Sequence, residues 1–305
     1  GVLMETEIWP NLLLAAHKAG VPMVLANARL SEKSLARGRR LQPLLRPALP
    51  ALTRTLAQTE ADARRLRDSG VAAVQVAGNL KFDMSPDPAL LARGRAWREA
   101  LGRPVVLMAS SREGEEAPLL VAWRALPPPR PLLLLVPRHP QRFDEVAALC
   151  SEAFPSTRRR SAFGDVPPAD AAAADVWVGD SLGEMPLYYA LADVALLGGS
   201  FAPFGGQNLI EAAACGCPVL MGPHTFNFAG ASDDALAAGA AERRADLPQA
   251  VARAAQLAID PARAAMGERA LAFADAHRGA AERMAATVLD LWLASGRAAD
   301  GRPGA

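Results

Sequence analysis

Cysteine is nearly absent. The three present, Cys150, Cys215 and Cys217, are too few for a disulfide framework and lack metal-ligand spacing, so they read as small packing residues of a reducing compartment. No stretch approaches the roughly 18 uninterrupted apolar residues of a membrane span, and no signal peptide is visible. No Asp-x-Asp motif occurs, nor does the Gly-x-Gly-x-x-Gly fingerprint of dinucleotide binding follow the first strand of the larger half. Lysine is scarce, with only Lys18, Lys33 and Lys81 among the 33 basic residues, and these face 32 acidic ones. Such a balance leaves no overall positive field for nucleic acid.

What the chain has in quantity is apolar surface, 51% of 305 residues, enough for two modest cores or one large one. Charge is unevenly divided: residues 1–85 carry 12 Lys/Arg against 7 Asp/Glu, and the remainder 21 against 25. The positive charge of the first part gathers at Arg29, Lys33, Arg37, Arg39, Arg40 and Arg46, interleaved with Leu30, Leu35, Leu41, Leu44 and Leu45. This pattern fits a basic amphipathic face meeting anionic lipid, and equally an ordinary solvated helix face.

Apolar runs and helix signals alternate throughout. Residues 1–4 read as the end of a strand, with an element missing before it. A helix opens near Pro10, stops at Gly20, and is followed by a strand at 21–26. The unit recurs as a strand at 56–58, a helix over 60–69 and a strand at 73–77. Two prolines in Met84-Ser85-Pro86-Asp87-Pro88 place a boundary there. Beyond it come strands at 105–109, 132–136, 176–178, 194–197 and 219–221, with helices between, and from 245 an Ala-rich helical stretch to about 295 with a frayed tail. The expectation is an α/β fold of two Rossmann-like lobes facing a cleft. Residues 1–85 form an incomplete first lobe, 86–270 a second, and 271–305 a terminal helix and tail.

The loops after the strands of the second lobe carry the chemistry, since parallel sheets hold ligands at that end. Gly198-Gly199-Ser200 and Gly205-Gly206-Gln207-Asn208-Leu209-Ile210-Glu211 run from a strand end into a helix. Such a loop brings backbone N–H groups and a positive helix end to a phosphate, while Glu211 is placed to accept ribose hydroxyls; a tight turn needing positive φ would also use these glycines. Pro137-Arg138-His139-Pro140 offers a permanent charge for a phosphate or carboxylate. Residues 110–116 and 179–185 supply two further loops. In the first lobe, Glu5 and Glu7 sit at a strand-to-helix junction, where carboxylates also simply complement a helix N-terminus. Lys81 follows Gly78-Asn79, near the lobe boundary, facing a negatively charged donor across the cleft or lying on the surface.

Taken together and in order, Met4-Glu5-Thr6-Glu7-Ile8-Trp9-Pro10-Asn11, Ala26-Asn27-Ala28-Arg29-Leu30-Ser31, Gly78-Asn79-Leu80-Lys81-Phe82-Asp83, Pro137-Arg138-His139-Pro140, the loop 179–185, Gly198-Gly199-Ser200 and Gly222-Pro223-His224-Thr225-Phe226-Asn227-Phe228 resemble the lipid A Kdo (3-deoxy-D-manno-octulosonic acid) transferases, enzymes of the GT-B type. Carried over motif by motif, the resemblance implies CMP contacts from Pro137, Arg138, Leu182, Gly183, Glu184, Asn208, Leu209, Ile210 and Glu211, with Glu5 and Lys81 stabilising the transition state. It implies CMP-Kdo as donor, a lipid A precursor as acceptor, an anionic membrane surface as partner, no cofactor or metal, and action at the cytoplasmic face of the inner membrane. The family's general base, a Glu in a Gly-Glu motif preceding the Met-Glu-Thr-Glu run, and its membrane-proximal segment have no counterpart here, so this sequence is expected to be N-terminally truncated and impaired in turnover. Two rivals stand beside this reading. One is another GT-B enzyme, a UDP-sugar transferase or 2-epimerase; the other is a remnant that binds nucleotide without catalysis.

Overall fold

A computed structural model of the chain describes residues 1–38 and 45–300, apart from the side chains at 33, 37–38 and 297–300. Arg39, Arg40, Leu41 and Leu44 of the basic stretch lie outside the described residues, as do residues 301–305 of the expected tail. The chain divides into two compact units, Gly1–Asp83 with the stretch from His277 onward, and Met84–Ala276.

The first unit is built from β1 (Val2–Met4), α1 (Pro10–Lys18), β2 (Met23–Ala28), α2 (Glu32–Gly38), β3 (Leu52–Ala57), α3 (Glu60–Asp68) and β4 (Val74–Val76). Its strands pair in parallel in the order β1-β2-β3-β4. Alternation along β2 sorts the side chains onto two faces: Met23 and Leu25 join Leu3, Leu13, Leu49 and Leu66 in one core cluster, whereas Val24 and Ala26 join Leu56, Ala77 and Met284 in another. The second cluster exists because the C-terminal helix, Ala280–Asp300, lies over that face. Residues set apart in sequence as a terminal helix and tail thus form part of the first unit from His277 on. Asp83 anchors them, its carboxylate accepting the backbone N–H groups of Gly279, Ala280 and Ala281 at the start of the helix, and Phe82 stacks on His277 at 4.6 Å.

The second unit runs α4 (Pro88–Leu101), β5 (Val105–Ser111), α5 (Glu116–Arg124), β6 (Leu132–Pro137), α6 (Phe143–Ala153), β7 (Arg158–Arg159), β8 (Val176–Val178), α7 (Met185–Leu191), β9 (Val194–Leu197), α8 (Leu209–Ala214), β10 (Val219–Met221), α9 (Ala229–Ala237), β11 (Ala241–Arg243), α10 (Leu247–Leu257) and α11 (Ala262–Ala276). Seven parallel strands lie in the order β11-β10-β9-β5-β6-β8-β7. Every residue of β6, β8, β9 and β10 is buried, as in a parallel sheet covered on both faces. On one face Val106, Met108, Leu133 and Leu220 pack with Trp123 of α5, Cys150 of α6 and Val251 of α10. Where α4 crosses α7, Gly94 leaves room for the backbone: a Cβ there would stand 2.4 Å from the Leu187 carbonyl oxygen. The order in which the chain lays down its strands reverses at β5, whose neighbours are β6 on one side and β9 on the other, the position at which parallel sheets present a crevice to ligands beyond the C-terminal strand ends.

The expected helical stretch after residue 245 divides into α10, α11 and the C-terminal helix. Pro261 lies in the gap between the first two of these helices, and Gly279, at φ +86°, in the gap before the last. The short edge strands β7 and β11 are not evident in sequence, because Arg158-Arg159 and Ala241-Glu242-Arg243 carry polar residues that edges tolerate.

Candidate functional site

At the switch point β5 ends in a bulge. Its register with β6 shifts between Ala109 and Ser111, and the intervening Ser110 adopts φ +58°, a conformation uncommon for a residue with a Cβ. The carbonyl of Ser110 is turned toward β9, where only glycine fits: a Cβ on Gly198 would come within 2.2 Å of that oxygen. Gly198, singled out in sequence, therefore answers to this approach, and Gly199 beside it to a positive φ of +68°.

Glu115, 1% exposed, organises the glycine-rich loop. Its carboxylate accepts backbone N–H groups from Arg112 at 2.9 Å, Gly199 at 2.8 Å, Phe201 at 3.1 Å and Ala202 at 3.2 Å. Burial pushes its carboxyl above the usual range, against the pull of those donors. Sequence reasoning offered the loop's N–H groups to a phosphate, but three of them are satisfied by a carboxylate of the protein itself. Ser200, fully buried, continues the knitting by accepting the Gly222 N–H at 2.8 Å.

Beside this loop, the turn after β6 is held from below. Arg138 N–H donates to the Ser111 carbonyl at 3.0 Å. Arg142 is buried, donating to Glu116 at 2.6 Å and to Glu145 at 3.0 Å, while Ser111 Oγ donates to Glu116 at 2.7 Å. With its base fixed, Pro137 is buried, His139 half-buried, and Arg138 exposed with no side-chain partner among the described residues. Glu211, half-buried, likewise has no hydrogen bond or ion pair among them. Burial pushes the Glu211 carboxyl up, and the positive charge of Arg138 partly opposes this. An unpaired acid and an unpaired base thus lie within electrostatic reach at the crevice. The three residues before Glu211 have other duties. Asn208 caps α8, accepting from the Ile210 N–H at 3.1 Å, and Leu209 and Ile210 are 1% and 0% exposed. The side chains at these three positions are thus taken up by the cap and the core.

In the loop after β8, Leu182 is exposed and Gly183 sits at φ +77° with open space around it. The Glu184 side chain is engaged: Arg93, Arg160 at 2.9 Å and Ser181 all donate to it. Burial alone would raise its carboxyl, but these donors and the two guanidiniums outweigh it and hold the group below the usual range. Arg93 and Arg160 in turn lie over the Trp97 ring, at 5.6 and 5.0 Å from its centroid.

In the first unit, Glu5 follows β1 at φ +54° and Asn27 sits at φ +51° near the end of β2, within a register irregularity between Leu25 and Ala28. Two non-glycine residues in this region on adjacent strand ends are strained positions of the kind that cluster at functional sites. Glu5 N–H donates to Ala26 at 2.9 Å, and its carboxylate pairs with Arg29 at 3.2 Å. Asn27, 3% exposed, accepts the Leu80 N–H on its side chain and the Gln58 amide on its carbonyl. Lys81 is exposed on the turn Leu80–Asp83 that this bond holds. Glu5 and Arg29 stand on the wall of a cavity of about 370 Å³ whose apolar lining includes Ile8, Leu25, Leu30 and Leu66.

Glu115 lies in the loop 110–116 marked in sequence, but its role, Arg142 and the side-chain role of Asn27 were not identified there. The only sign of the first two was polar residues beside strand ends, too common to separate them from solvated charges. Among the described residues, no group of three or more His, Cys, Asp or Glu is placed to hold a metal ion, and no helix is long and apolar enough to cross a membrane.

Residues 1–84 match the family described as 3-deoxy-D-manno-octulosonic-acid transferase (kdotransferase). The chain is 52% identical over 299 residues to the 3-deoxy-D-manno-octulosonic acid transferase of Bordetella pertussis, covering 96% of this chain and 69% of that protein. It is 36% identical over 236 residues to the enzyme of the same description from Haemophilus influenzae, covering 74% and 54%. The chain thus spans about two thirds of the first relative and about half of the second. Among solved structures, the C-terminal CMP-Kdo binding domain of WaaA from Acinetobacter baumannii is 30% identical with a TM-score of 0.52, covering 61% of this chain and 98% of that one. The UDP-GlcNAc 2-epimerase from Neisseria meningitidis, bound to UDP-GlcNAc, matches with a TM-score of 0.57 at 18% identity over 95% of this chain and 75% of that one, a likeness of fold alone. The fold class expected from sequence, α/β of GT-B type, is the one these structures share.

Proposed function

This chain belongs to the 3-deoxy-D-manno-octulosonic acid transferase family, and from that premise we propose that it carries the donor-binding unit, and part of the acceptor-side unit, of an inverting enzyme that moves Kdo from CMP-Kdo to a lipid A precursor in lipopolysaccharide inner-core synthesis. The reaction joins an acceptor hydroxyl oxygen to the anomeric carbon of the sugar as the bond from that carbon to the CMP phosphate oxygen breaks. CMP leaves as an anion. Arg138 and the backbone at the start of α8 face its phosphate, Glu211 accepts from the ribose hydroxyls, and the backbone at Pro137 and over residues 182–184 lines the rest of the nucleotide. Glu5 and Lys81 stabilise the transition state, and the hydroxyl proton passes to the carboxylate of the family's Gly-Glu motif. The acceptor is a membrane lipid, which sets the work at the cytoplasmic face of the inner membrane.

One observation supports this reading above others: Arg138 and Glu211 keep opposite charges without partners at the strand ends where a phosphate and a ribose would need them. Arg138 is exposed, so the cost falls on the half-buried Glu211, whose carboxylate is expensive to keep there unless a ligand's donors complete it. Calorimetric titration with CMP, and with UDP in competition, tests the assignment. Arg138→Ala and Glu211→Ala should each weaken CMP binding by about 1–3 kcal/mol. Unchanged affinity in both would sink it, and tighter binding of UDP than CMP would favour a UDP-sugar enzyme.

A further inference from the structure

The buried Glu115 carboxylate is more than a core contact. It receives one N–H from the end of β5, at Arg112, and three from the loop after β9, at Gly199, Phe201 and Ala202. Those two segments follow the two strands that meet at the switch point of the sheet. A single side chain therefore ties together the segments on both sides of the switch point. Bending the loop away would leave three donors unsatisfied in a buried place. The loop beyond is set from the same point. Gly206 N–H donates to the Gly199 carbonyl at 2.8 Å, Asn227 N–H to Gly205 at 3.0 Å, and Arg112 lies 4.3 Å over the Phe204 ring. Gln207 and the α8 cap Asn208 come directly after, so the orientation of Glu211 inherits the geometry that Glu115 imposes.

We propose that Glu115 is a positioning residue for donor binding: its carboxylate substitutes for a ligand anion beneath the glycine-rich loop, holding that loop in the shape that presents Glu211 and the start of α8 to the nucleotide. This rests on the nucleotide site proposed above. It also narrows the expectation that the glycine-rich loop offers its N–H groups to a phosphate, because those of Gly199, Phe201 and Ala202 are committed before any ligand arrives.

Amide hydrogen exchange by NMR, read beside CMP titration, tests it on the whole chain. In the unaltered protein, saturating CMP should leave exchange at Gly199, Phe201 and Ala202 unchanged, since they are already bonded; added protection there would mean they bond the nucleotide, and would overturn the proposal. Glu115→Gln keeps the size of the side chain but turns an acceptor into a donor facing those amides. It should speed their exchange, leave exchange in β6 and β8 as it was, and weaken CMP binding about ten- to a hundredfold, the loss of a charge-assisted bond or more. Glu115→Asp, which restores the charge on a shorter stem, should recover part of that affinity. Faster loop exchange with unchanged CMP affinity would show a merely structural contact and refute the positioning role. Failure of the unaltered protein to bind CMP would refute the nucleotide site instead, and the loop exchange in Glu115→Gln would still show whether the clamp exists.

Discussion

Asn27 Oδ1 accepts the backbone N–H of Leu80 at 3.2 Å, fastening the turn that carries Lys81 to the end of β2. Asn27 does so from φ +51°, which asparagine tolerates better than most residues with a Cβ. Asn27→Ala loses the bond and keeps the strain, and should cost about 2–3 kcal/mol. Asn27→Gly loses the bond but relieves the strain, so it should cost less than the alanine. Urea denaturation followed by circular dichroism would give the order, and the reverse order would contradict a strained backbone at this position.

The buried ion pair under the crevice should be far more sensitive. Glu116 is 2% exposed at its side chain and has Arg142 at 2.6 Å. Removing the guanidinium strands that carboxylate, so Arg142→Ala should destabilise the protein by about 3–5 kcal/mol. Pairing Arg142→Met with Glu116→Gln removes both charges and should recover much of the loss, as a double-mutant comparison of denaturation midpoints would reveal.

Glu211 predicts a conflict between stability and binding. Burial raises its carboxyl in the folded chain, so its ionisation opposes folding. That penalty is present in full above the raised folded value, shrinks as pH falls, and vanishes below the ordinary value for the unfolded chain. Glu211→Gln should therefore raise the melting temperature at neutral pH, with the gain fading on acidification, while CMP binding weakens. A gain that grew toward acid would show the opposite shift.

CMP binding should need no divalent cation, because the groups assigned to the phosphate are Arg138 and backbone amides. Excess EDTA should leave the calorimetric affinity unchanged. Loss of binding in the chelator, restored by Mg²⁺, would require a different electrostatic account.

The strand ends and their loops could be read from sequence because parallel strands in this chain are short apolar runs: Leu132, Leu133, Leu134 and Leu135 announce β6, and the loop leaving the C-terminal end of such a strand lies by rule on the ligand side. Arg138 and Glu211 were located that way. The partners inside the site were not, since a sequence shows which residues can accept hydrogen bonds but not which donors the fold brings to them. Glu115 and Glu116 are adjacent in sequence, yet one binds backbone amides of a loop more than eighty residues away and the other a buried arginine. Asn208, which the resemblance implies as a CMP contact, also caps α8 with its side chain, a duty that its sequence alone does not separate from ligand binding. The terminal helix read as separate because nothing in its own residues points to Asp83.

That last contact bears on how the polypeptide is made. The second unit, Met84–Ala276, is one continuous stretch, and all of its strands and helices have been synthesised before the helix Ala280–Asp300 emerges from the ribosome. The first unit cannot be finished in that order, for the face of its sheet formed by Val24, Ala26 and Leu56 waits for Ala280 and Met284. Domains generally fold as units, N-terminal first, during translation at about 5–20 residues per second. Here the sheet of the first unit keeps one apolar side without its covering helix for roughly ten seconds or longer while some two hundred further residues are added.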